Sequence, residues 1–267
     1  FVQSELILKK IKKKFKNIVI VAKIENYLGL KNAKNICKHS DIVMIDRGDL
    51  GAEIGNNKLY SAIVTISEMT KKYGKSLIMA TENLNSMITR KSPTKSEIVA
   101  LGFSLSLKAD KIMLSDETAT AKNWYSSLIW LNNFLKHNKN YKLKIKNNND
   151  LFWNIISELP SNIPIVVFSR KGLAIEKLSK IKGDVDLTIF TDSIKTSTIC
   201  SFRSYAKTIY INRFDESKKN TYIYSALKKH KREIFKNNNF IILIYISYPR
   251  KNSRANTIAL VEKKDFN

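Results

Sequence analysis

The chain has 267 residues, with 47 Lys and Arg against 23 Asp and Glu, which gives a formal net charge of +24. A hydrophobic fraction of 43% with only eight glycines and two cysteines excludes an intrinsically disordered chain, a collagen-like repeat and a disulfide-stabilised scaffold. No apolar run approaches the roughly 20 residues that a membrane-spanning helix needs. The length predicts two domains at roughly 100–200 residues each.

The positive charge comes mainly from lysine, since only eight of the basic residues are arginine. Lysine lacks the planar fork with which arginine reads bases and clamps phosphates, and the lysines are scattered along the chain. We therefore interpret the charge as a solvated, lysine-rich surface. Neither a nucleic-acid partner nor a membrane partner is expected.

The first half of the chain alternates short apolar runs with helical patterns. Runs that are apolar on successive residues predict strands buried on both faces at Asn17–Lys23, Asp41–Asp46, Ser76–Ala80 and Asp110–Leu114. Helices are predicted at Ser4–Phe15, Gly29–Lys38, Lys58–Tyr73, Pro93–Leu107 and Trp124–Lys136, with Pro93 at a first helical position. The alternation predicts an α/β fold with a parallel sheet over residues 1–137.

A polar segment rich in Asn and Lys, residues 138–150, predicts a linker. A second α/β domain is predicted over residues 151–267. Its strands are expected at Ile163–Ser169, Asp186–Thr191, Ala206–Ile211, Phe240–Ser247 and Asn256–Val261. Its helices are expected at Leu173–Lys180, Ile194–Arg203 and Thr221–Phe235.

Polar side chains follow each of the four strands of the first half. They are Lys23 and Glu25; Arg47, Gly48 and Asp49; Thr81 and Glu82; and Ser115, Asp116 and Glu117. In α/β barrels the carboxyl ends of the strands are where active sites are built. The sequence therefore predicts a site at this edge of the sheet.

The chemistry of these residues indicates a divalent cation beside an anion. Glu25 and Asp49 can share a hard cation such as Mg²⁺, and Lys23 leaves its strand on the same face as Glu25. A lysine there can neutralise a transferring phosphoryl group, and Gly48 lets backbone amides approach an anion. The structural alternatives are that Glu25 only pairs with a cation and that Asp49 only caps a turn.

The segments AKIEN at residues 22–26 and DRGDLG at residues 46–51 resemble the signature of the pyruvate kinase family. Ala80-Thr81, Ser86-Met87, Pro93-Thr94 and the run IMLS at 112–115 with ETA at 117–119 continue the resemblance in order and spacing. The second half is similar to that family's C-terminal domain, through IVV at 165–167 with Gly172 and NTI at 256–258. The resemblance covers essentially the whole chain.

The resemblance implies the second half of a TIM (β/α)8 barrel followed by a small α/β C-terminal domain. Barrel strands one to four and the lid domain are expected to be absent. The family transfers phosphate from phosphoenolpyruvate to ADP, giving pyruvate and ATP in glycolysis, with Mg²⁺ or Mn²⁺ and commonly K⁺. We expect the chain alone to be inactive, because the groups that bind ADP phosphates and K⁺ would lie in the missing half. A tetramer and a cytoplasmic location are also expected, with an organelle left open.

The resemblance also implies roles for single residues. Glu25 and Asp49 would be the protein ligands of the metal, and Lys23 would stabilise the transferring phosphoryl group. The amides of Gly48 and Asp49, with the Thr81 hydroxyl, would hold the pyruvate carboxylate and assist protonation of the enolate.

Two further residues receive roles by the same resemblance. Arg47 would be a substrate-binding residue. Glu117 would be a catalytic residue in the polar surroundings of the proton transfer.

The sequence departs from the family pattern in several places. Glu82 stands where the family usually has Gln, and Asp116 where it has Gly. Leu173 and Ala174 stand in place of hydroxyl side chains of the family's sugar-phosphate effector loop, which argues against activation by fructose bisphosphate. Two alternatives therefore stay open. One is a degenerate, non-catalytic relative that serves as a binding or assembly module, and the other is a metal-dependent lyase acting on pyruvate enolates.

Overall fold

The computed structural model describes residues 1–138, 151–181, 185–212, 219–245 and 257–266. The chain divides into two compact units, Phe1–Ile145 and Lys146–Asn267, and each is described by itself. The predicted linker lies outside the described residues except for Asn138, which ends a helix.

The first unit contains a parallel sheet of four strands in the order β1-β2-β3-β4, which confirms the predicted α/β fold with parallel strands. The strands are β1 (Val21–Ile24), β2 (Ile42–Asp46), β3 (Ser76–Ala80) and β4 (Lys111–Ile112). The register pairs Lys23 with Met44 and Asp46 with Ala80. Because all four strands run the same way, their carboxyl ends lie along one edge.

The described part of the first unit has eight helices. They are α1 (Glu5–Lys14), α2 (Tyr27–Lys31), α3 (Ala33–His39), α4 (Arg47–Ile54), α5 (Asn56–Lys72), α6 (Lys95–Ser106), α7 (Asp116–Ala119) and α8 (Trp124–Asn138), with a 3₁₀ turn at Asn85–Ile88. The predicted helix at Gly29–Lys38 is two helices that meet at Asn32, whose backbone leaves the helical region.

Two other helix predictions need correction. Helix α4 was not predicted, because its eight residues carry little apolar periodicity and it begins on the N-cap Asp46, whose side chain accepts from the amide of Asp49. Pro93 is not a first helical residue: α6 begins at Lys95, after the N-cap Thr94, which forms a capping box with Glu97.

The core of the first unit packs one face of the sheet against α3, α4 and α5. Ile24, Ile45 and Met79 from the strands are fully buried, as are Ile36 of α3 and Ile66 of α5. Burying each such side chain contributes about 1.5–3 kcal/mol. This packing fixes where the strands end, and therefore where the polar residues behind them lie.

The second unit is a five-stranded sheet in the order β7-β6-β5-β8-β9, parallel except for the antiparallel pair β8 and β9. Its strands, β5 (Ile165–Phe168), β6 (Leu187–Thr191), β7 (Ala206–Tyr210), β8 (Phe240–Tyr245) and β9 (Thr257–Glu262), lie within two residues of the predicted bounds where both are described. Its described helices are α9 (Leu151–Glu158), α10 (Leu173–Ile181), α11 (Ile194–Ser201), α12 (Lys219–Lys229) and α13 (Lys231–Phe235), followed by a 3₁₀ turn at Lys263–Phe266. Helix α9 was not predicted, and the predicted helix at Thr221–Phe235 is interrupted at His230.

Both cysteines, Cys37 and Cys200, are buried in hydrophobic cores, one in each unit. Within the described ranges, no helix combines the length and the apolar character that crossing a membrane requires.

Glu97 ties the start of α6 to the 3₁₀ turn. Its carboxylate accepts from the amide of Ser86 at 2.8 Å and the amide of Thr94 at 2.7 Å, and from both hydroxyls. Burial alone would raise the pKa of Glu97, but the hydrogen bonds from Ser86 and Thr94 outweigh burial and lower it. The carboxylate is therefore more stable in the folded chain than in the unfolded chain.

We predict that Glu97→Gln lowers amide protection factors over residues 86–101 by about tenfold at pH 7, because bonds to a charged acceptor contribute roughly 1.5–3 kcal/mol. The stabilisation is present above the unfolded pKa of about 4.3 and is lost as the pH falls through the lower folded value. Hydrogen exchange at pH 7 and pH 3 should therefore show a difference from wild type that shrinks in acid. Glu68→Gln, on the exposed side of α5, is the control. An equal effect of both variants would contradict the prediction.

Candidate active site at the carboxyl edge of the first sheet

Five polar residues meet where β1, β2 and β3 end. Lys23 is the second-last residue of β1 and Glu25 directly follows that strand, while Asp46 is the last residue of β2. Asp49 lies in the first turn of α4, and Thr81 directly follows β3. The parallel register brings these residues together although up to 58 positions separate them in the sequence.

The ammonium group of Lys23 lies among three carboxylates. It contacts Glu25, and its Nζ is 2.8 Å from Asp46 Oδ2 and 3.5 Å from Asp49 Oδ2. The side chains of Glu25 and Asp46 are only 8% and 5% exposed, whereas that of Asp49 is 67% exposed. With all four groups ionised, the cluster carries a formal charge of −2.

These contacts shift the pKa values of Lys23 and Asp46. Hydrogen bonds to Asp46 and then to Glu25 raise the pKa of Lys23 well above its ordinary value, against the effect of burial. For Asp46, burial alone would raise the pKa, but bonds from Lys23, Thr81 and the amide of Asp49 lower it. Lys23 is therefore a cation and Asp46 an anion at neutral pH.

Asp46 is the residue of this site that the sequence analysis left without a role. The sequence pattern that could have identified Asp46 is a carboxylate at the end of an otherwise apolar, buried strand. A buried charge requires a partner, so this pattern indicates a cation or a donor nearby. Asp46 also takes the capping position that was considered for Asp49: its side chain accepts from the amide of Asp49 at 3.3 Å. The residue thus serves the helix start and the charged cluster together.

The three carboxylates suit a hard divalent cation. One oxygen each from Glu25, Asp46 and Asp49 lies within 4.8 Å of the others. Carboxylate oxygens are the protein ligands that Mg²⁺ and Mn²⁺ take. The structure therefore adds Asp46 to the predicted pair of Glu25 and Asp49. It also shows the predicted structural alternative for Glu25, which is an ion pair with Lys23.

The hydroxyl of Thr81 joins this cluster to the start of α4. Its Oγ1 is 2.8 Å from Asp46 Oδ1 and 2.7 Å from the carbonyl oxygen of Ala80, and it accepts from the amide of Gly48 at 3.0 Å. A Cβ added at Gly48 would lie 3.6 Å from Thr81 Oγ1. The missing side chain therefore leaves the space beside the hydroxyl open.

Arg47, predicted as a substrate-binding residue, has its donors directed at the turn after β3. Its Nε donates to the carbonyl of Ala80 at 3.4 Å, and its Nη2 donates to the carbonyl of Thr81 and, at 2.8 Å, to Asn83 Oδ1. The residue is only 7% exposed.

Glu117, predicted as a catalytic residue, is completely buried. Its carboxylate accepts from the amide of Ser115 at 2.9 Å and from the amide of Leu84 at 3.4 Å. It therefore links the turns that follow β3 and β4. The two departures near the site, Glu82 and Asp116, are both exposed.

Comparison with known proteins gives one consistent family. Residues 5–127 match the family model described as pyruvate kinase, barrel domain. The pyruvate kinase of Borreliella burgdorferi is 28% identical over 256 residues, which cover 90% of this chain and 53% of the relative. That of Hypocrea jecorina is 44% identical over 104 residues, which cover 39% of this chain and 19% of the relative.

A solved structure shows the same fold. The crystal structure of pyruvate kinase from Pyrobaculum aerophilum superposes with a TM-score of 0.76 at 22% identity, covering 98% of this chain and 57% of that one. The chain therefore spans little more than half the length of the proteins that it matches over most of its own length.

We predict that Lys23→Met destabilises the first unit by about 1–3 kcal/mol, because it leaves carboxylates clustered without their cation. The raised pKa of Lys23 makes its contribution complete below the unfolded value of about 10.4, and the lowered pKa of Asp46 makes its contribution complete above about 3.9. The wild-type advantage should therefore be largest between these pH values.

Hydrogen exchange of the β1–β3 amides between pH 3 and pH 10 measures this advantage. Lys38→Met, an exposed residue at the end of α3, is the control. Equal protection in wild type and Lys23→Met near pH 7 would contradict the expected role of the cation.

Proposed function

We propose that this chain, which is a pyruvate kinase-like protein, supplies the metal-binding and proton-transfer part of an active site that moves a phosphoryl group from phosphoenolpyruvate to ADP. The observation that carries the proposal is the cluster of Lys23 with Glu25, Asp46 and Asp49 at the carboxyl ends of adjacent parallel strands. All four lie inside the segment that matches the pyruvate kinase barrel model. In this proposal the first unit is the second half of a (β/α)8 barrel, and the second unit is the C-terminal domain.

Glu25 and Asp49 would hold Mg²⁺ or Mn²⁺, with Asp46 close enough to contribute a third oxygen. The bound ion would neutralise and orient the oxygens of the enolate and of the phosphoryl group. Of the two main ligands, Glu25 would be held in place more rigidly than Asp49, because its side chain is buried and that of Asp49 is mostly exposed.

Lys23 would stabilise the negative charge on the phosphoryl oxygens during transfer. Its ammonium group is held beside the proposed metal ligands, and its raised pKa keeps it charged. A fixed cation in a site with few waters stabilises developing charge more than it would in bulk solvent.

Thr81 would act in the protonation of the enolate, which follows the phosphoryl transfer. The amides of Gly48 and Asp49, with the Thr81 hydroxyl, would hold the pyruvate carboxylate in place of the bonds that they now make within the protein. The hydroxyl would pass its proton to the enolate methylene carbon, which forms the methyl group of pyruvate, and would regain a proton from solvent. Glu117, whose carboxylate accepts two amide hydrogen bonds, would belong to the polar surroundings of this transfer without supplying the proton. The net proton taken up balances the conversion of phosphoenolpyruvate and ADP to pyruvate and ATP.

We further propose that the 267-residue chain is inactive alone. In the described part of the first unit, the sheet ends at β1 and β4 without a further strand beside either. The groups that bind ADP and K⁺ would require the remaining part of the barrel.

The isolated chain is predicted to give no phosphoenolpyruvate-dependent ADP phosphorylation with Mg²⁺ and K⁺, measured by coupled pyruvate formation. A chimera in which this chain replaces the matching part of the Borreliella burgdorferi relative should regain turnover. Lys23→Met in the chimera should then lose about 10²–10³-fold in kcat, as when one stabilising donor is removed. Turnover by the isolated chain would refute its inactivity. A folded chimera without turnover would favour the non-catalytic module.

Metal binding tests the site without requiring turnover. We predict that the isolated chain binds Mn²⁺ in calorimetric titration, and that Glu25→Gln and Asp49→Asn each weaken binding by at least about tenfold. Loss of a residue that only hydrogen-bonds to a metal ligand already weakens binding by about that factor, so loss of a ligand should cost no less. Glu53→Gln, exposed on the same helix as Asp49, is the matched control and should bind as the wild type does. Binding that is unaffected by Glu25→Gln would place the metal elsewhere.

A further inference from the structure

We propose that Arg47 is a positioning residue, which holds the backbone of Thr81 in a left-handed conformation and so aims the Thr81 hydroxyl at Asp46 and Gly48. This inference rests on the proposed function, because it assigns a support to the group proposed to protonate the enolate. It also gives Arg47 a task other than direct contact with the substrate.

The backbone after β3 adopts a conformation that its residues disfavour. Thr81 has a φ of 60° and Glu82 a φ of 50°, and neither is glycine. Left-handed backbone is uncommon for any non-glycine residue and is a genuine outlier for a β-branched one such as threonine. Such residues cost about 1–3 kcal/mol each and persist only where the surrounding structure enforces them.

Arg47 holds the Thr81 backbone in this conformation. Its Nε donates to the carbonyl of Ala80 and its Nη2 to the carbonyl of Thr81, so that one planar guanidinium binds the peptide oxygens on both sides of the Thr81 backbone. The rigid fork of arginine fixes the angle between two acceptors. A lysine, with a single ammonium group, would restore the charge without restoring this angle.

Asn83 completes the support from the other side. Its Oδ1 accepts from Arg47 Nη2 at 2.8 Å, and its Nδ2 donates to the carbonyl of Met113 at 2.7 Å. Asn83 is fully buried, so its amide is held by these bonds and not by water. The turn after β3 is thereby tied to the start of α4 on one side and to the residues that follow β4 on the other.

The backbone conformation of Thr81 sets where its hydroxyl lies in the site. In the enforced conformation Oγ1 lies 2.8 Å from Asp46 Oδ1 and accepts from the amide of Gly48. Arg47 and Gly48 are neighbours in α4, so the same helix start holds the Thr81 backbone and binds its hydroxyl. Since Arg47 is buried and its Nε and Nη2 both donate within the protein, its influence on a substrate would pass through Thr81.

The conservative variant Arg47→Lys tests this inference in the ligand-free, full-length chain labelled with ¹³C at threonine. The Thr81 Cα and Cβ chemical shifts should leave the range of left-handed backbone. The Gly48 amide should exchange about tenfold faster, which corresponds to the loss of about one hydrogen bond. The control Arg90→Lys, at an exposed position beyond the 3₁₀ turn, should change neither signal.

A milder variant keeps the test valid if Arg47→Lys unfolds the unit. Asn83→Ser retains both carbonyl acceptors of Arg47 and removes its third partner, so the Thr81 shifts should move in the same direction by a smaller amount. Thr81 shifts and Gly48 exchange that match wild type, in whichever of the two variants is folded, would overturn the inference.

Pyruvate binding to the Mn²⁺-loaded chain separates positioning from direct contact. Arg47→Lys should weaken Mn²⁺ binding less than pyruvate binding, since Arg47 contacts neither Glu25 nor Asp49, the two main proposed ligands. Pyruvate binding should weaken by about tenfold, the loss of about one hydrogen bond. Weaker pyruvate binding with unchanged Thr81 shifts would instead show direct contact and would overturn the inference. If wild type binds neither Mn²⁺ nor pyruvate, the proposed function fails, while the ligand-free measurements still decide the role of Arg47.

Discussion

The site depends on one ammonium group held among three carboxylates. Glu25 and Asp46 are almost completely buried, and carboxylates in that position are stable only beside a cation or hydrogen-bond donors. Lys23 supplies the cation, yet the cluster retains a net negative charge, which leaves it suited to a further positive ion. In the proposed function, the same contacts that stabilise the folded unit would also prepare it for a metal.

Helix α4 shows how closely structure and proposed chemistry are joined. Asp46 caps this helix and pairs with Lys23, Arg47 binds the turn after β3, and Gly48 presents its amide to the Thr81 hydroxyl. These three consecutive residues act on different neighbours because they lie where a strand changes into a helix. A substitution in this segment would therefore affect folding and the site together, which is why the experiments separate ligand-free measurements from binding.

The second unit and the surface charge carry less information about chemistry. In the turn predicted as a degraded effector loop, Arg170 forms an ion pair with Asp192 at 2.8 Å, and Gly172, with a φ of 74°, donates to the hydroxyl of Ser169. These contacts stabilise a surface turn. The charge of +24 remains interpretable as exposed lysine, because the charged cluster of the site is itself negative.

Sequence pattern alone predicted the α/β class, the succession of strands along the chain and the edge of the sheet at which polar residues gather. Those features depend on local periodicity, and the pairing of Lys23 with Glu25 follows from alternation along one strand. Helix α4, by contrast, has almost no apolar period and begins on a side-chain cap, so local pattern did not reveal it. The family resemblance added roles for single residues, which local pattern does not provide.

The partners of Asp46, Arg47 and Asn83 became known from the three-dimensional structure alone. The bonds from Thr81 to Asp46 and from Arg47 to Asn83 join residues 35 and 36 positions apart, across separate strands. Strand register and a strained turn set which buried donor meets which buried acceptor. Local periodicity encodes neither of them. Sequence pattern therefore located the edge of the sheet at which polar residues gather, while the packing of the strands and of α4 set which of these side chains contact one another.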